Sequence, residues 1–451
     1  MPHNVVSIVR YRGLESIQSS IDLCRGLEGL GAGTRVLVKP NLVGWDNQGP
    51  YPPWGVLTTS LVLEGLCAAL RDAGAGEIRI GEGSIKCKHI GSGTKEIYEH
   101  LGYQKLVDRY GVRLVDFNED EFDEVEIDTG HTIKVTRHLR ECDALVSVPV
   151  LKTHGGTVVT LGMKNLKGLL HGKSKQYCHH PDNLLDHFIA CIAGKFAPSL
   201  TLIDGIYANE QGPQHMGFAH RWDLLIASTD VYAADLLGAY ILGYGAEEVK
   251  YLKEWAEKNG RSAAVRDLEI KGDLDPDEVR KPLRWDWEWL PDNTGPEAFA
   301  KMGIRGLSLP KYEHTLCTGC SYMFNPLMML LMSTGQTEFD RYEILSGAIQ
   351  KPSGTANKTF LFGQCQIQAN KDNPNAKEVI PIKGCPPSTD EIEKVLKENG
   401  IPVNRKGYLN YRMYLMSRYW KKPDRYPLTD FYMGAIPESA MPPPPKPEKK
   451  G

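Results

Sequence analysis

Apolar residues recur at two alternating periods along the first 245 positions. Short apolar runs at 5–10, 35–40, 77–81 and 112–117 read as strands. Between them, positions 14–30, 60–73 and 95–110 carry apolar residues at helical spacing, the first stretch closed by Gly31-Ala-Gly33. Segments 124–128 and 134–137 have the look of a hairpin insertion. Residues 143–150 are almost continuously apolar, as a central strand covered on both faces must be. Helices follow at 162–170 and 182–196, strands at 199–204 and 223–228, and an apolar helix at 231–242. Short strands each followed by a helix predict a doubly wound, mainly parallel sheet over 1–245.

The character changes at about residue 246. Charge rises through 246–296, and Trp285, Trp287 and Trp289 cluster there, which predicts a linker with a peripheral helix. The tryptophans pack onto a neighbouring domain or form a partner surface. Residues 297–405 predict a second, smaller α/β domain carrying a cysteine-ligated cluster. A C-terminal extension (406–440) is tyrosine-rich at 408–419, and a Pro/Lys tail (441–451) is predicted to be disordered. The expected fold class is therefore α/β, with two doubly wound, mainly parallel sheet domains. No internal repeat is visible.

Bulk properties narrow the function classes. The 451 residues exceed one simple core, and 41% hydrophobic with 24% charged residues is ordinary for a globular chain. A net charge of −3 gives no electrostatic reason to expect a nucleic acid or an anionic membrane as partner. No apolar run is long enough to span a bilayer. The N-terminus leads straight into a strand-like pattern and does not read as a signal peptide, so a cytoplasmic location is expected. Ten cysteines in such a chain favour metal ligands over disulfides.

Four of those cysteines form a pattern. Cys317 and Cys320 stand in a Cys-x-x-Cys turn, while Cys365 and Cys385 each follow an apolar run that ends in glycine. Two strand ends and one turn can assemble four thiolates around a 4Fe-4S cluster or, as the plainer alternative, one zinc ion. Zinc sites usually use two close ligand pairs, and only one pair is close here. The Cys385-Pro-Pro-Ser-Thr-Asp-Glu segment opens a helix, whose positive end favours a thiolate-bound centre. The other six cysteines are scattered; Cys24, Cys67 and Cys191 sit in apolar helical patterns and read as buried small hydrophobes.

The N-terminal half places polar motifs at strand ends, where parallel sheets hold ligands. These are Lys39-Pro-Asn41, Glu82-Gly-Ser84, Asp116-Phe-Asn118, Lys152-Thr-His154, Asp204-Gly205 and Asp230. Lys152, His154, Lys164 and Asn165 form the densest group and are the catalytic candidates: two lysines, an amide and a proton-moving histidine suit a carboxylate or phosphate. Lys164 and Lys167 would otherwise be solvated helix lysines. Lys39, Asn41, Glu82, Ser84, His180, Asp204 and His215 are the substrate-binding candidates. Cys178-His-His180, with His171 and His187 nearby, forms either a second metal site or a pocket-lining loop. Residues 212–217 read as a flexible loop able to close over the same face. Neither a Gly-x-x-x-x-Gly-Lys-Ser loop nor a Gly-x-Gly-x-x-Gly turn after the first strand is present, so a nucleotide cofactor has no support.

Val36-Leu-Val-Lys-Pro-Asn-Leu, Gly81-Glu-Gly-Ser, Val148-Pro-Val-Leu-Lys-Thr-His, Gly162-Met-Lys-Asn-Leu-Lys-Gly, Ile203-Asp-Gly and Ser228-Thr-Asp, taken in order, resemble the domain-of-unknown-function 362 family over residues 30–245. Members of that family often carry iron–sulfur segments, which implies a cluster on the four C-terminal cysteines. This chain departs from the common ferredoxin-type insert, because only one Cys-x-x-Cys is present. Its Gly384-Cys-Pro-Pro ending is similar to that of iron–sulfur subunits of hydrogenases and respiratory complex I. The N-terminal half also resembles, distantly, the nickel-pincer lactate racemase family, which implies a cleft between two α/β domains that binds a small carboxylate.

The leading expectation is an iron–sulfur oxidoreductase of anaerobic metabolism acting on a small anionic substrate. Lys152, Lys164 and Asn165 would hold the substrate, His154 would transfer a proton, and a ferredoxin-like or other redox partner would exchange electrons. Three alternatives stay open: a cluster-dependent lyase or dehydratase, a racemase or epimerase pairing His154 with His180 or His215, and a non-enzymatic electron-transfer subunit. Whether the chain forms a homo-oligomer is not legible.

Overall fold

Alternation in the first half produces the strands of one large sheet. In chain order these are β1 (Val5–Arg10), β2 (Arg35–Pro40), β3 (Glu77–Glu82) and β4 (Arg113–Asp116). A hairpin of β5 (Phe122–Asp128) and β6 (His131–Thr136) stands outside it. Then follow β7 (Ala144–Val148), β8 (Val150–His154), β9 (Val158–Thr160), β10 (Leu200–Glu210), β11 (Phe218–Ser228) and β12 (Glu269–Gly272). The sheet order is β12-β1-β11-β10-β7-β2-β3-β4, with β8 and β9 extending from β10. Pairing is mainly parallel; β11 runs antiparallel to both β1 and β10, and β9 to β8. The computed structural model describes residues 4–44, 51–86, 93–182 and 184–433. Cys87 and the Pro/Lys tail lie outside them.

The apolar run at 143–150 is central as expected: every residue of β7 is buried, and it pairs with β2 through Lys39↔Ser147 and Pro40↔Val148. One apolar core covers one sheet face with the helices Leu14–Leu23 and Ser60–Asp72. A second core covers the other face with Leu185–Lys195 and Val231–Ile241. Gly102, at φ +59°, splits the expected helix at 95–110 into Thr94–His100 and Gln104–Tyr110.

Three differences from the expected pattern bear on the site. The chain does not leave the sheet after residue 150: after Pro149 it resumes as β8, and Lys152 pairs with Asn209 of β10. The strand expected at 199–204 runs on to Glu210, so Asp204-Gly205 lies inside a strand. Because β11 is antiparallel, Asp230 emerges at the opposite sheet end. There it caps the helix Val231–Ile241 through Tyr232 N–H at 3.0 Å.

The stretch read as a linker contributes β12, a polar edge strand paired to β1. The peripheral helix is present at Lys250–Asn259. Its tryptophans are half-buried, with Trp287 and Trp289 packed against the first core. A smaller, wholly parallel sheet follows: β13 (Arg305–Ser308), β14 (Glu338–Leu345), β15 (Lys358–Phe362) and β16 (Val379–Ile382), in that order. The apolar helix Thr318–Met332 joins this sheet to the first core, as does the tyrosine-rich helix Arg405–Trp420. No helix among the described residues is long and apolar enough to cross a membrane.

Candidate functional site

A cavity of about 540 Å³ lies where the ends of β2, β3 and β8 face the cysteine-bearing unit. Its walls combine Lys39, Asn41, Glu82, Ser84, Lys152, His154, Lys164 and Asn165 with Cys317 and Cys385. Eight of the eleven catalytic and substrate-binding candidates therefore share one space.

Most of them hold one another. Lys39 Nζ donates to Glu82 Oε2 at 2.6 Å, with both side chains buried. Lys152 Nζ donates to Asn41 Oδ1 and to the Val56 carbonyl, each at 2.7 Å. Asn165 is fully committed. Its Oδ1 accepts from Asn41 at 3.0 Å and from Lys39 at 3.4 Å, while its amide hydrogens go to the Lys39 carbonyl and Ser147 Oγ. Asn165 is thus a positioning residue rather than a group free to meet a ligand. Gly168 lets this network close: a Cβ there would lie 2.3 Å from Lys39 Cε and 2.6 Å from Glu82 Oε1.

The groups still able to engage a ligand are basic. Among the described residues no hydrogen bond or ion pair engages the Lys164 amine. Gly156 N–H donates to His154 Nδ1 at 2.9 Å, which puts the imidazole proton on Nε2 and makes it a donor. Burial pushes Lys152 down to about 7 and Lys175 down to about 8. Burial, then Lys164 and Lys152, hold His154 well below its usual value. Burial and Lys167 do the same to Lys164. Low-dielectric surroundings oppose each charge, and the neighbouring cations add to that. An anion is the ligand that would relieve both.

Sequence reasoning missed part of this wall. Lys167, which was not among the candidate residues, is buried and donates to His179 Nε2 at 2.5 Å. His179 Nδ1 donates in turn to the His314 carbonyl at 2.7 Å, so this imidazole is a fixed bridge. Lys167 lies three residues after Lys164, on the same face of the turn, and that spacing was the available signal. Lys175 and Gln176 also line the cavity, with no pattern to announce them.

Three candidates fall elsewhere. His180 is exposed and sits 3.0 Å from Asp182; its neighbour His179 takes the inward position. Asp204 is buried beneath the site, accepting from Thr59 N–H at 2.7 Å and Ile206 N–H at 3.1 Å. His215 is stacked on Tyr51, with ring centroids 3.6 Å apart, and does not line the cavity. Its loop is a buried β10–β11 connection held by Arg418, which donates to the His215 and Gly217 carbonyls. Only Pro213 and Gln214 of that loop reach the cavity. The Cys178-His-His180 run does not converge: Cys178 is buried and bonded to the Ser174 carbonyl at 3.2 Å, and His187 lies apart, beside Asp128 and Cys191.

The four C-terminal cysteines do come together. Cys317 precedes the first turn of Thr318–Met332, with Cys320 inside it; Cys365 opens Gln364–Asn370 after β15; Cys385 follows β16. A hydrogen bond from Cys320 pulls the Cys317 thiol down to about 6, while Cys317 and burial drive Cys320 up. Cys385 and Cys365 also contribute to the field at Cys320. Gln176 Nε2 donates to Cys385 Sγ at 3.1 Å, so the basic wall touches the cysteine group directly. At Gly363 a side chain would crowd Cys320 Sγ, at 3.1 Å from its Cβ.

Fold and site define an α/β protein whose basic, strand-end cavity is closed by a four-cysteine unit. Residues 36–240 match the family described as a domain of unknown function (DUF362). A thylakoid-associated protein of Synechocystis is 29% identical over 249 residues, covering 52% of this chain and 74% of that protein. Among solved structures, the lactate racemase apoprotein from Thermoanaerobacterium thermosaccharolyticum aligns with a TM-score of 0.34 at 16% identity, over 53% of this chain and 57% of that one. A protein from Thermotoga maritima aligns at 0.28 and 14% identity, over 57% and 60%. The chain thus spans less than two thirds of either solved structure.

Proposed function

We propose that this protein is an iron–sulfur oxidoreductase acting on a small anionic substrate, a carboxylate foremost. The observation that carries the reading is a shared cavity: Cys317 and Cys385 line the same space as Lys152, His154 and Lys164. A 4Fe-4S cluster would be held by Cys317, Cys320, Cys365 and Cys385, and the donor set fits it: four thiols, a glycine cradle at Gly363 and an amide donor from Gln176. Four sulfurs on one zinc ion, each bound at about 2.3 Å, would lie about 3.8 Å apart. Among the described residues, the three-donor set gathered within 4.8 Å is Asp128, His187 and Cys191, not these cysteines. Any three of these sulfurs therefore include a pair more than 4.8 Å apart, which supports a cluster, whose cysteines attach to different iron atoms. Bound there, it would supply one-electron chemistry beside the substrate.

The chain's own groups have separate tasks in this reading. Lys164 and the His154 Nε2–H bind anionic oxygens, and Lys152 takes up or releases a proton at Nζ near neutral pH. Leu185, Pro213 and Leu316 narrow the space left for water. Four cysteines gathered in one place favour electron transfer over a lyase that needs an open iron position. The racemase pairing of His154 with His180 or His215 loses support, because neither partner lines the cavity. A reducing, cytoplasmic setting with a ferredoxin-like partner completes the proposal.

Anaerobic purification followed by iron and sulfide analysis tests it. About four irons per chain and a dithionite-bleached absorption band are expected, both lost in Cys320→Ser. A colourless protein, or unchanged iron in that variant, would reject the ligand assignment.

A further inference from the structure

A second group of side chains lies outside the cavity, where the β5–β6 hairpin meets the helices Leu185–Lys195 and Lys250–Asn259. His187 and Cys191 are four residues apart on one helix, which stacks them on one face. Asp128 comes from the end of β5. One ligand atom from each of the three lies within 4.8 Å of the others. Asp128 Oδ2 is 2.7 Å from His187 Nε2, and Cys191 Sγ is 3.5 Å from the same nitrogen. The opposite ring nitrogen, Nδ1, is engaged by Glu254 Oε1.

A charged histidine between two carboxylates would account for Asp128 and Glu254. It leaves the thiol unexplained, because Nε2 carries one proton while two groups converge on it. An ion in place of that proton satisfies all three donors. Thiolate, imidazole and carboxylate are each ordinary zinc ligands. Together a thiolate and a carboxylate carry two negative charges, which balance a divalent ion. Glu254 on Nδ1 matches the carboxylate that commonly orients a metal-bound imidazole. Asp128, His187 and Glu254 are partly exposed, so an ion can enter from solvent. Lys258, 4.0 Å from Cys191 Sγ, is the neighbouring cation that the ion would displace.

We propose that Asp128, His187 and Cys191 form a three-ligand site for a borderline divalent metal, zinc foremost, with Glu254 supporting His187 and water completing the shell. This inference is independent of the iron–sulfur reading. The probes are zinc, followed by calorimetry, and cobalt, followed by its thiolate charge-transfer absorption, added to the 451-residue protein as isolated, with and without Cys317, Cys320, Cys365 and Cys385 replaced by serine so that binding at those cysteines is read separately. One saturable equivalent is expected. Cys191→Ser should abolish the charge-transfer band, and Glu254→Gln should weaken zinc about 10–100-fold. His187→Gln serves as a second ligand variant should Cys191→Ser misfold, and a zinc-edge anomalous peak at His187 in wild-type crystals reads the site without any variant. No saturable zinc in the wild-type protein, or the same equivalent and band in both ligand variants, would overturn the proposal and leave His187 as an ion-paired cation.

Discussion

Lys152 shows how a single residue gains its chemistry from its surroundings. Its amine is buried, bonded to a neutral amide and a carbonyl, and close to Lys39. Among the described residues no carboxylate forms an ion pair with it, and burial lowers it to about 7 against the pull of the Glu82 carboxylate. An arriving anion would restore the charged form. Above pH 7, binding should therefore take up a proton, and affinity should fall as pH rises, by at most about tenfold per unit for each proton linked. Lys175, at about 8, extends the same trend. Calorimetry with malonate at pH 6.5 and 8.5 should show this fall, and Lys152→Met should flatten it; a pH-independent affinity would refute the assignment. The unfolded lysine titrates near 10.4, so between about pH 7 and 10 the unfolded chain binds more protons than the folded one. Folding stability should accordingly rise with pH across that window, less steeply in Lys152→Met.

Elements matter here through how they are anchored. The turn Gly162–Asn165 carries Lys164 and Asn165 but is only four residues long, too short to persist alone. It is held by Asp235, which lies on another helix and accepts from Gly162 N–H at 2.6 Å and Met163 N–H at 2.9 Å. Burial raises the Asp235 carboxyl to about 8, against the opposing pull of these two bonds. Asp235→Ala leaves two buried donors unpaired, at about 1–3 kcal/mol each. Denaturant titration should show a loss of about 2–6 kcal/mol, and malonate binding should weaken although no ligand contact has been removed. Unchanged affinity would mean that the turn is positioned by packing alone.

At the scale of the whole molecule, the C-terminal extension belongs to the core of the first half. The Arg412 guanidinium lies over the Tyr51 ring, 3.5 Å from its centroid. Tyr419 Oη accepts from Ala219 N–H at 2.9 Å, and Tyr207 donates to Asp430 at 2.6 Å. Loss of one large buried side chain costs about 3–5 kcal/mol, and whole domains have only about 5–15 kcal/mol to lose. A chain ending at residue 404 should therefore give no cooperative thermal transition. A melt within a few degrees of the 451-residue protein would show that the first 404 residues are self-sufficient.

Local pattern was enough to reveal the strand–helix alternation, the buried central strand and the cysteine set, because each depends on side-chain periodicity or on spacing within a few residues. The strand ends at Lys39 and Glu82 were legible for the same reason, whereas Lys152, expected just past a strand end, lies inside β8. Direction and depth were not legible. That Asp230 falls at the far sheet end depends on β11 running antiparallel, and β10 extends through Glu210 with β11 paired along it and β8 on its other side. The choice of His179 over His180, the burial of His215 under Tyr51 and the meeting of Asp128 with Cys191 rest on contacts between distant segments. Periodicity reports which face of an element is apolar; only packing in three dimensions decides what that face meets.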